Sequence, residues 1–327
     1  MFKNKTIFIT GGTGSWGQKL VKYLLNQNSK EIRIFSRNES LQVKMQRTFK
    51  NEKIKFIIGD VKDKNKLIKV TKNVDYLVHL AALKHVPICE QELEETFLTN
   101  VIGTKNVIEA ALKNKILKVL YISSDKAVNP CNFYGLTKAM GEKLIIKANQ
   151  EQTETKFICF RAGNVIGTSG SVIPLFINQL KNKENITITD QEMTRFFITL
   201  DEAIKTLLKV LELGRGGEII ITKMPSFKIM DLAQTLIKHY GNENTIINFS
   251  EIRPGEKIHE ELISEVESKN CFYLKDNYYL IISPIMKKDL TTHYKNLKRV
   301  NFTSYKSSQN LLTKLEIEEK LKESKYL

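Results

Sequence analysis

Three features of the sequence predict an α/β fold, a doubly wound parallel sheet followed by a smaller C-terminal region. Short β-branched runs alternate with helical patterns through the first half, a glycine-rich turn follows the first run, and the rhythm changes after about Gly163. Strands alternating with helices imply right-handed crossovers within one sheet. Lys5–Thr10 reads as the first buried strand, and Lys19–Asn26 as a helix with Leu20, Leu24 and Leu25 on one face. Strand signals recur at Glu31–Phe35, Lys55–Ile58, Tyr76–Leu80, Val119–Ser123 and Phe157–Phe160, with helices at Glu94–Asn114 and Leu136–Ala148. Beyond Gly163, loops rich in Gly, Ser and Pro are interleaved with helices such as Leu200–Leu213. The last 45 residues carry ten basic and five acidic side chains.

At 327 residues, with 42% hydrophobic and 27% charged, the chain can bury a full core without disulfide or metal staples. This composition excludes disordered, collagen-like and disulfide-scaffold classes. The net charge of +15 invites a nucleic-acid reading, but eight of the 51 cations are Arg and the rest are Lys. Planar recognition of bases and phosphates favours Arg, and no Arg-aromatic stripe appears, so no nucleic-acid partner is expected. Cys89, Cys131, Cys159 and Cys271 are far apart and lack metal-ligand spacing, so no metal is expected. No apolar stretch approaches the roughly 20 residues of a membrane span, and the N-terminus runs into a strand without a signal-like apolar region. A soluble, cytoplasmic protein is expected.

The turn Thr10-Gly11-Gly12-Thr13-Gly14-Ser15-Trp16-Gly17 lies between first strand and first helix, where a dinucleotide pyrophosphate binds. Gly11 permits the tight turn, Gly14 lets phosphate approach the backbone, and Gly17 allows close packing of the helix. The helix N-terminus adds free N–H groups and a positive dipole end. The spacing Gly11, Gly14, Gly17 resembles that of short-chain dehydrogenases/reductases. The second strand ends in Phe35-Ser36-Arg37, and an Arg there suits a ribose 2′-phosphate, which favours NADP over NAD.

Ser123-Ser124-Asp125-Lys126 closes a strand, and Tyr134 and Lys138 follow it four residues apart on a helix. On a shared face, the Lys138 ammonium would lower the Tyr134 phenol pKa, so that a phenolate could take a hydroxyl proton as hydride leaves the same carbon. Ser124 and Ser123 are equal candidates for the assisting hydroxyl. A simple alcohol dehydrogenase needs neither Asp125 nor Lys126, so this pair suggests further proton transfers on the substrate.

With these residues in hand, the chain resembles the inverting UDP-N-acetylglucosamine 4,6-dehydratases, extended short-chain dehydrogenases/reductases that begin pseudaminic acid biosynthesis. The resemblance rests on GGTGSWG, SRNES, AALKHVP at 81–87, TNVIGT at 99–104, SSDKAVNP at 123–130, YGLTK, RAGNVIGTSGSVIP at 161–174, ITDQEMTRFFITLDEA at 188–203 and IRPGEKIHEELI at 252–263. It extends into the tail, through DNYYLIISP and SSQN.

The resemblance implies a Rossmann-like NADP-binding domain over 1–165 with contributions from about 196–222. A substrate region would occupy 166–195 and 223–280, with a C-terminal extension at 281–327. It implies tightly bound NADP, recycled in each turnover and held by Thr10, Gly11, Thr13, Gly14, Ser15, Trp16, Gly17, Ser36, Arg37, Asp60, Val61, Ala81, Ala82, Lys84, Asn100, Tyr134 and Lys138. UDP-N-acetylglucosamine would be held by Lys84, Asn164, Arg195, Arg253 and Glu256. Tyr134 would deprotonate the C4 hydroxyl, Lys126 would remove the C5 proton, and Asp125 would protonate the departing C6 hydroxyl. A homo-oligomer, dimer or hexamer, is also implied. The alternatives are a C5-retaining dehydratase, a UDP-N-acetylhexosamine 4-epimerase and a nonenzymatic NADP-binding regulator.

Overall fold

The computed structural model describes residues 1–150, 154–168, 170–275, 277–284, 292 and 294–327. Six β-branched runs form parallel strands: β1 (Thr6–Thr10), β2 (Glu31–Ser36), β3 (Ile54–Ile58), β4 (Tyr76–His79), β5 (Lys118–Ser124) and β6 (Lys156–Ala162). Between them run α1 (Ser15–Leu25), α2 (Glu39–Phe49), α3 (Lys64–Val70), α4 (Val86–Gln91), α5 (Leu93–Phe97), α6 (Gly103–Lys113) and α7 (Phe133–Gln150). Every residue of β1 and β4 is buried, as expected of a parallel sheet covered on both faces.

The C-terminal half contributes β7 (Asn164–Val165), α8 (Val172–Lys181), β8 (Ile186–Ile188), β9 (Thr194–Ile198), α9 (Leu200–Leu213), β10 (Glu218–Thr222), β11 (Ser226–Lys228) and α10 (Ile229–Tyr240). It continues with β12 (Ile247–Phe249), β13 (Glu261–Ile263), α11 (Glu265–Ser268), β14 (Cys271–Tyr273), β15 (Tyr278–Ile282), β16 (Tyr305–Lys306) and α12 (Lys314–Glu323). The main sheet runs β3-β2-β1-β4-β5-β6-β10-β15-β14, with the last two strands antiparallel to their neighbours. β1 pairs with both β2 and β4, so the strand order reverses there. The crevice beyond the carboxyl ends of those strands is where such sheets bind nucleotides.

The helix expected over Glu94–Asn114 is interrupted. Leu98–Ile102 forms a π-helical turn between α5 and α6, carrying Asn100. The widened turn changes the facing of the residues beyond it, a device frequent at functional sites.

The apolar side chains form two clusters. The larger surrounds the main sheet, and the smaller joins α8, β8, β11 and α10 through Ile173, Phe176, Phe227 and Leu232. The expected segment boundaries do not coincide with this packing. β14 and the first strand residues of β15 fall within 223–280, yet both strands extend the main sheet. The tail expected as an extension from 281 inserts Ile317 and Leu321 into the smaller cluster, because α12 packs on α10. Within that tail, 285–291 and 293 lie outside the described residues, as do Ser169 and Asp276 of the quoted motifs.

Candidate active site

The glycine turn takes the expected form. Gly11 has φ +65°, and a Cβ there would lie 2.8 Å from the Ala81 nitrogen, so the turn after β1 and the segment after β4 require glycine to meet. Gly14 precedes α1 with no side-chain cap, and the first turn of the helix holds no acidic residue. Its N–H groups and dipole end are suited to an anion, and the cradle fits a dinucleotide pyrophosphate. Ser15 and Trp16 open the helix partly exposed, while Thr13 is buried. Gly17 is buried, and a Cβ there would come within 2.2 Å of the Gly12 carbonyl oxygen, so α1 closes on the glycine turn only with glycine at that position.

Three residues expected to touch the cofactor have structural partners. Thr10 is fully buried; its hydroxyl meets His79 Nδ1 at 2.7 Å and accepts from the Leu80 and Ala81 N–H groups at 3.2 Å. It therefore locks the ends of β1 and β4 together. The Asn100 amide accepts from Leu83 N–H at 2.8 Å and donates to the Leu83 carbonyl at 2.9 Å and Thr137 at 3.0 Å. It shapes the 81–84 loop from behind. Ser36 is buried and accepts from the Gln42 amide at 3.0 Å.

Arg37 is exposed at the end of β2, where a 2′-phosphate was expected, and it already faces Glu95 at 3.2 Å and Asp60 at 3.7 Å. Lys62 bonds both oxygens of Glu95 at 2.9 Å, so two cations share one carboxylate. Asp60 accepts from Lys62 N–H at 2.9 Å, and Val61 beside it is buried. Ala81 and Ala82 line the next turn half-buried, and Lys84 follows them, its ammonium pKa lowered by burial.

The carboxyl end of β5 carries the candidate proton-transfer groups. Ser124 accepts from Lys126 N–H and donates to Asp125 Oδ1 at 2.9 Å, opening a short 3-10 turn. Of the two candidate serines, Ser124 is the one whose hydroxyl pulls the Tyr134 phenol pKa down, whereas the Ser123 hydroxyl is buried without a hydrogen-bond partner. The alternation of side chains along a strand separates them. Asn132 Oδ1 accepts from Gly135 N–H at 2.7 Å, capping the helix that presents Tyr134. A Cβ on Gly135 would come within 2.2 Å of the Lys126 carbonyl, so α7 can approach the Asp125–Ala127 turn only with glycine there.

Lys126 Nζ lies 3.2 Å from Asp125 Oδ1 and 3.1 Å from Glu260 Oε1. Burial alone would discharge this ammonium, but the two carboxylates reverse the effect and hold its pKa above the ordinary lysine value. Asp125 is fully buried, and burial raises its carboxyl pKa against the pull of Lys126. Its Oδ2 is buried without a hydrogen-bond partner.

Lys138 follows Tyr134 by about one turn of α7. Its ammonium donates to the Ile122 carbonyl and stands 4.1 Å over the Tyr121 ring, and burial lowers its pKa to about 8. Burial pushes the Tyr134 phenol up to about 12, and the charge that pulls it back is on Lys126.

On the substrate side, Asn164 is half-buried on β7, which pairs with β9 next to Arg195. Arg195 was expected among the residues that hold the UDP-sugar. It is 7% exposed, donating to the Thr194 and Ile258 carbonyls at 2.8 and 3.0 Å and facing Glu256 at 3.5 Å and Glu260 at 3.8 Å. Arg253 is exposed at the same turn, and Glu256 N–H donates to its carbonyl at 3.0 Å.

The 252–261 segment clasps the loop that carries Asp125 and Lys126. Asn132 donates to the Gly255 carbonyl at 2.8 Å, Lys257 to the Val128 carbonyl at 2.7 Å, and Asn129 to Glu261 at 2.7 Å. Glu260 and Asn132 were not anticipated as site residues. Glu260 sat inside the quoted 252–263 motif and Asn132 in the gap between SSDKAVNP and YGLTK, and only the fold brings the two segments together.

Among the described residues no helix is long and apolar enough to cross a membrane, and no His, Cys, Asp and Glu group could hold a metal ion.

Comparison with known proteins agrees with this architecture. The polysaccharide biosynthesis protein family matches residues 7–282. The chain is 45% identical to a UDP-glucose 4-epimerase of Rickettsia bellii, over 89% of this chain and 86% of that protein. It is 43% identical to the inverting UDP-N-acetylglucosamine 4,6-dehydratase of Campylobacter jejuni, over 88% and 85%. The crystal structure of Pen from Bacillus thuringiensis superposes over 100% of both chains, with a TM-score of 0.93 and 39% identity. A match that runs from β1 through β15, with relatives this similar along most of the chain, makes the protein a member of the polysaccharide biosynthesis protein family.

Proposed function

We propose that the protein is a UDP-N-acetylglucosamine 4,6-dehydratase that inverts C5, yielding UDP-2-acetamido-2,6-dideoxy-β-L-arabino-hex-4-ulose at the entry to pseudaminic acid-type sugar synthesis. The observation that carries this reading is the Asp125–Lys126 pair at the end of β5 beside Ser124, its carboxylate buried and its ammonium half-buried. Oxidation at C4 alone requires Tyr134 and its helpers. Elimination across C5 and C6 requires a further base and a further acid, and this pair can supply both.

When bound, the nicotinamide supplies the acceptor for the C4 hydride, a positive charge near the phenol, and the hydride that later reduces C6. Tyr134 takes the C4 hydroxyl proton, and the resulting ketone makes the C5 proton acidic. Lys126 removes that proton only as a neutral amine, so its own proton passes first to Asp125, 3.2 Å away. Burial favours the neutral Asp125 acid, which donates this proton to the C6 hydroxyl as water leaves. Lys126 is an ammonium again once it holds the C5 proton, and proton count and charge balance. A proton then returns to C5 on the opposite face, for which Tyr134 holds the one taken from C4.

NADP is the proposed cofactor, read from Arg37; a nicotinamide cofactor of either kind fits the α1 cradle. Arg253 is the proposed cation for the diphosphate, with Arg195 fixing the turn beneath it. The R. bellii relative supports a second reading, a 4-epimerase, in which hydride returns to C4 and Lys126 has no base to be.

The test is to incubate the purified protein with UDP-N-acetylglucosamine, without added reductant, and follow product mass. Loss of one water supports dehydration, whereas an unchanged mass with conversion to UDP-N-acetylgalactosamine supports the epimerase. Lys126→Ala should abolish water loss while UDP-sugar binding, measured by calorimetry, persists; abolished binding would contradict the base role.

A further inference from the structure

Glu260 is 3% exposed, and its Oε1 lies 3.1 Å from Lys126 Nζ and 3.8 Å from Arg195 Nε. Its other oxygen is buried without a hydrogen-bond partner. The backbone that aims this carboxylate is held at both ends: Glu260 N–H donates to Ser307 Oγ at 2.9 Å, and Ser307 N–H donates to the Glu260 carbonyl at 2.8 Å. Ser307 in turn bonds Thr194, the residue before Arg195, at 2.7 Å.

We infer that Glu260 is a positioning residue for the elimination: it fixes the Lys126 ammonium against Asp125 and joins that ammonium to Arg195. The inference rests on the dehydratase reading above. Two carboxylates face one ammonium here, and a proton leaving Lys126 has two places to go. Asp125 has no cation other than Lys126 within ion-pairing distance among the described residues, whereas Glu260 also faces Arg195. When the proton moves to Asp125, the Glu260–Arg195 pair remains charge-balanced and Asp125 becomes a neutral buried acid. Movement to Glu260 would leave Asp125 charged and buried without its counter-ion, and Arg195 with Glu256 alone, which costs free energy. Glu260 therefore steers the proton toward the residue that needs it.

The electrostatics agree with that direction. Burial raises the Glu260 carboxyl, but Lys126, Arg195 and Lys257 reverse this and hold it below its ordinary value, while Asp125 is raised. The groups acting on Lys126 are Asp125 from its own turn, Glu260 from the clasping segment and Arg195 from β9; Tyr134 of α7 lies within their field.

The test compares wild type, Glu260→Gln and Glu260→Asp in steady-state dehydration across pH, with folding followed by circular dichroism. Glu260→Gln removes the charge and keeps the shape, so both Lys126 and Asp125 lose protons more readily. Both limbs of the kcat profile should move to lower pH, the alkaline limb by about one unit, and kcat should fall about tenfold or more with KM nearly unchanged. Glu260→Asp should return the alkaline limb toward wild type. Unmoved limbs, or unfolding of both variants, would overturn the inference, since the carboxylate would then be structural. If the wild type itself releases no water, the dehydratase reading falls instead.

Discussion

Asp125 and Lys126 occupy one short turn, and each changes what the other can do. The lysine keeps the buried carboxylate tolerable, and the carboxylate with Glu260 keeps the lysine charged. Asp125→Asn preserves the shape and removes the proton carrier, so dehydration should fall by about two orders of magnitude or more while UDP-sugar affinity holds. Arg37→Ala should weaken NADP binding about tenfold and leave NAD binding close to wild type, read by fluorescence titration. Equal losses would show that Arg37 serves its acidic neighbours and not a 2′-phosphate. His79, fully buried between Thr10 and Thr104, has its pKa pushed down to about 3 by burial. The unfolded chain then binds a proton that the folded chain refuses between about pH 6.5 and 3, so stability falls as pH drops through that window, by about 2 kcal/mol at pH 5. His79→Gln should flatten this dependence in urea titrations; an unchanged slope would assign the acid sensitivity elsewhere.

Local elements were the most legible part of the sequence. Leu200–Leu213 begins and ends where its apolar spacing places it, because a Thr199–Glu202 capping box starts it and Gly214 follows it. The strand runs were found to within one or two residues, since a buried parallel strand needs continuous apolar residues. The π-helical turn at Leu98–Ile102 left no comparable signal; periodicity cannot distinguish a continuous helix from one with a single wide turn. The site was legible where one stretch of chain carries it, as in Asp125-Lys126 and the glycine turn. It was hidden where the chain returns from far away, which is why Glu260 and the Arg195 ties emerged only with the fold. The bond from Lys138 to the Ile122 carbonyl was hidden for a related reason: helical spacing relates Lys138 to Tyr134 but carries no sign of β5 beside it. At this scale, Asn132→Ala should cost about 1 kcal/mol through the lost cap of α7 and also loosen the Gly255 turn. Thermal melts measure the first effect and a raised KM for the UDP-sugar the second; a lowered melting temperature with unchanged KM would separate the cap from the clasp.

Across the whole molecule, the tail is part of the architecture. Ile317 and Leu321 close the smaller core, and the Tyr326 hydroxyl donates to the Gly167 carbonyl at 3.1 Å, next to the loop that follows Asn164. Ile317→Ala should cost about 2–5 kcal/mol in urea unfolding, and a cost under about 1 kcal/mol would contradict its place in that core. α4, α5 and α7 pack together yet leave Ile88, Leu93, Leu136 and Met140 exposed. The net charge of +15 is spread mainly over lysines, and the proposed function draws on only a few of its cations. In the proposed reaction one site oxidises C4, eliminates water and inverts C5. Proton NMR of the product formed from UDP-N-acetylglucosamine in D2O tests all three steps. The expected product is a 4-keto-6-deoxy sugar with deuterium at C5 and the L-arabino ring configuration. A product with C5 hydrogen retained from substrate, or with its original C5 configuration, would contradict it.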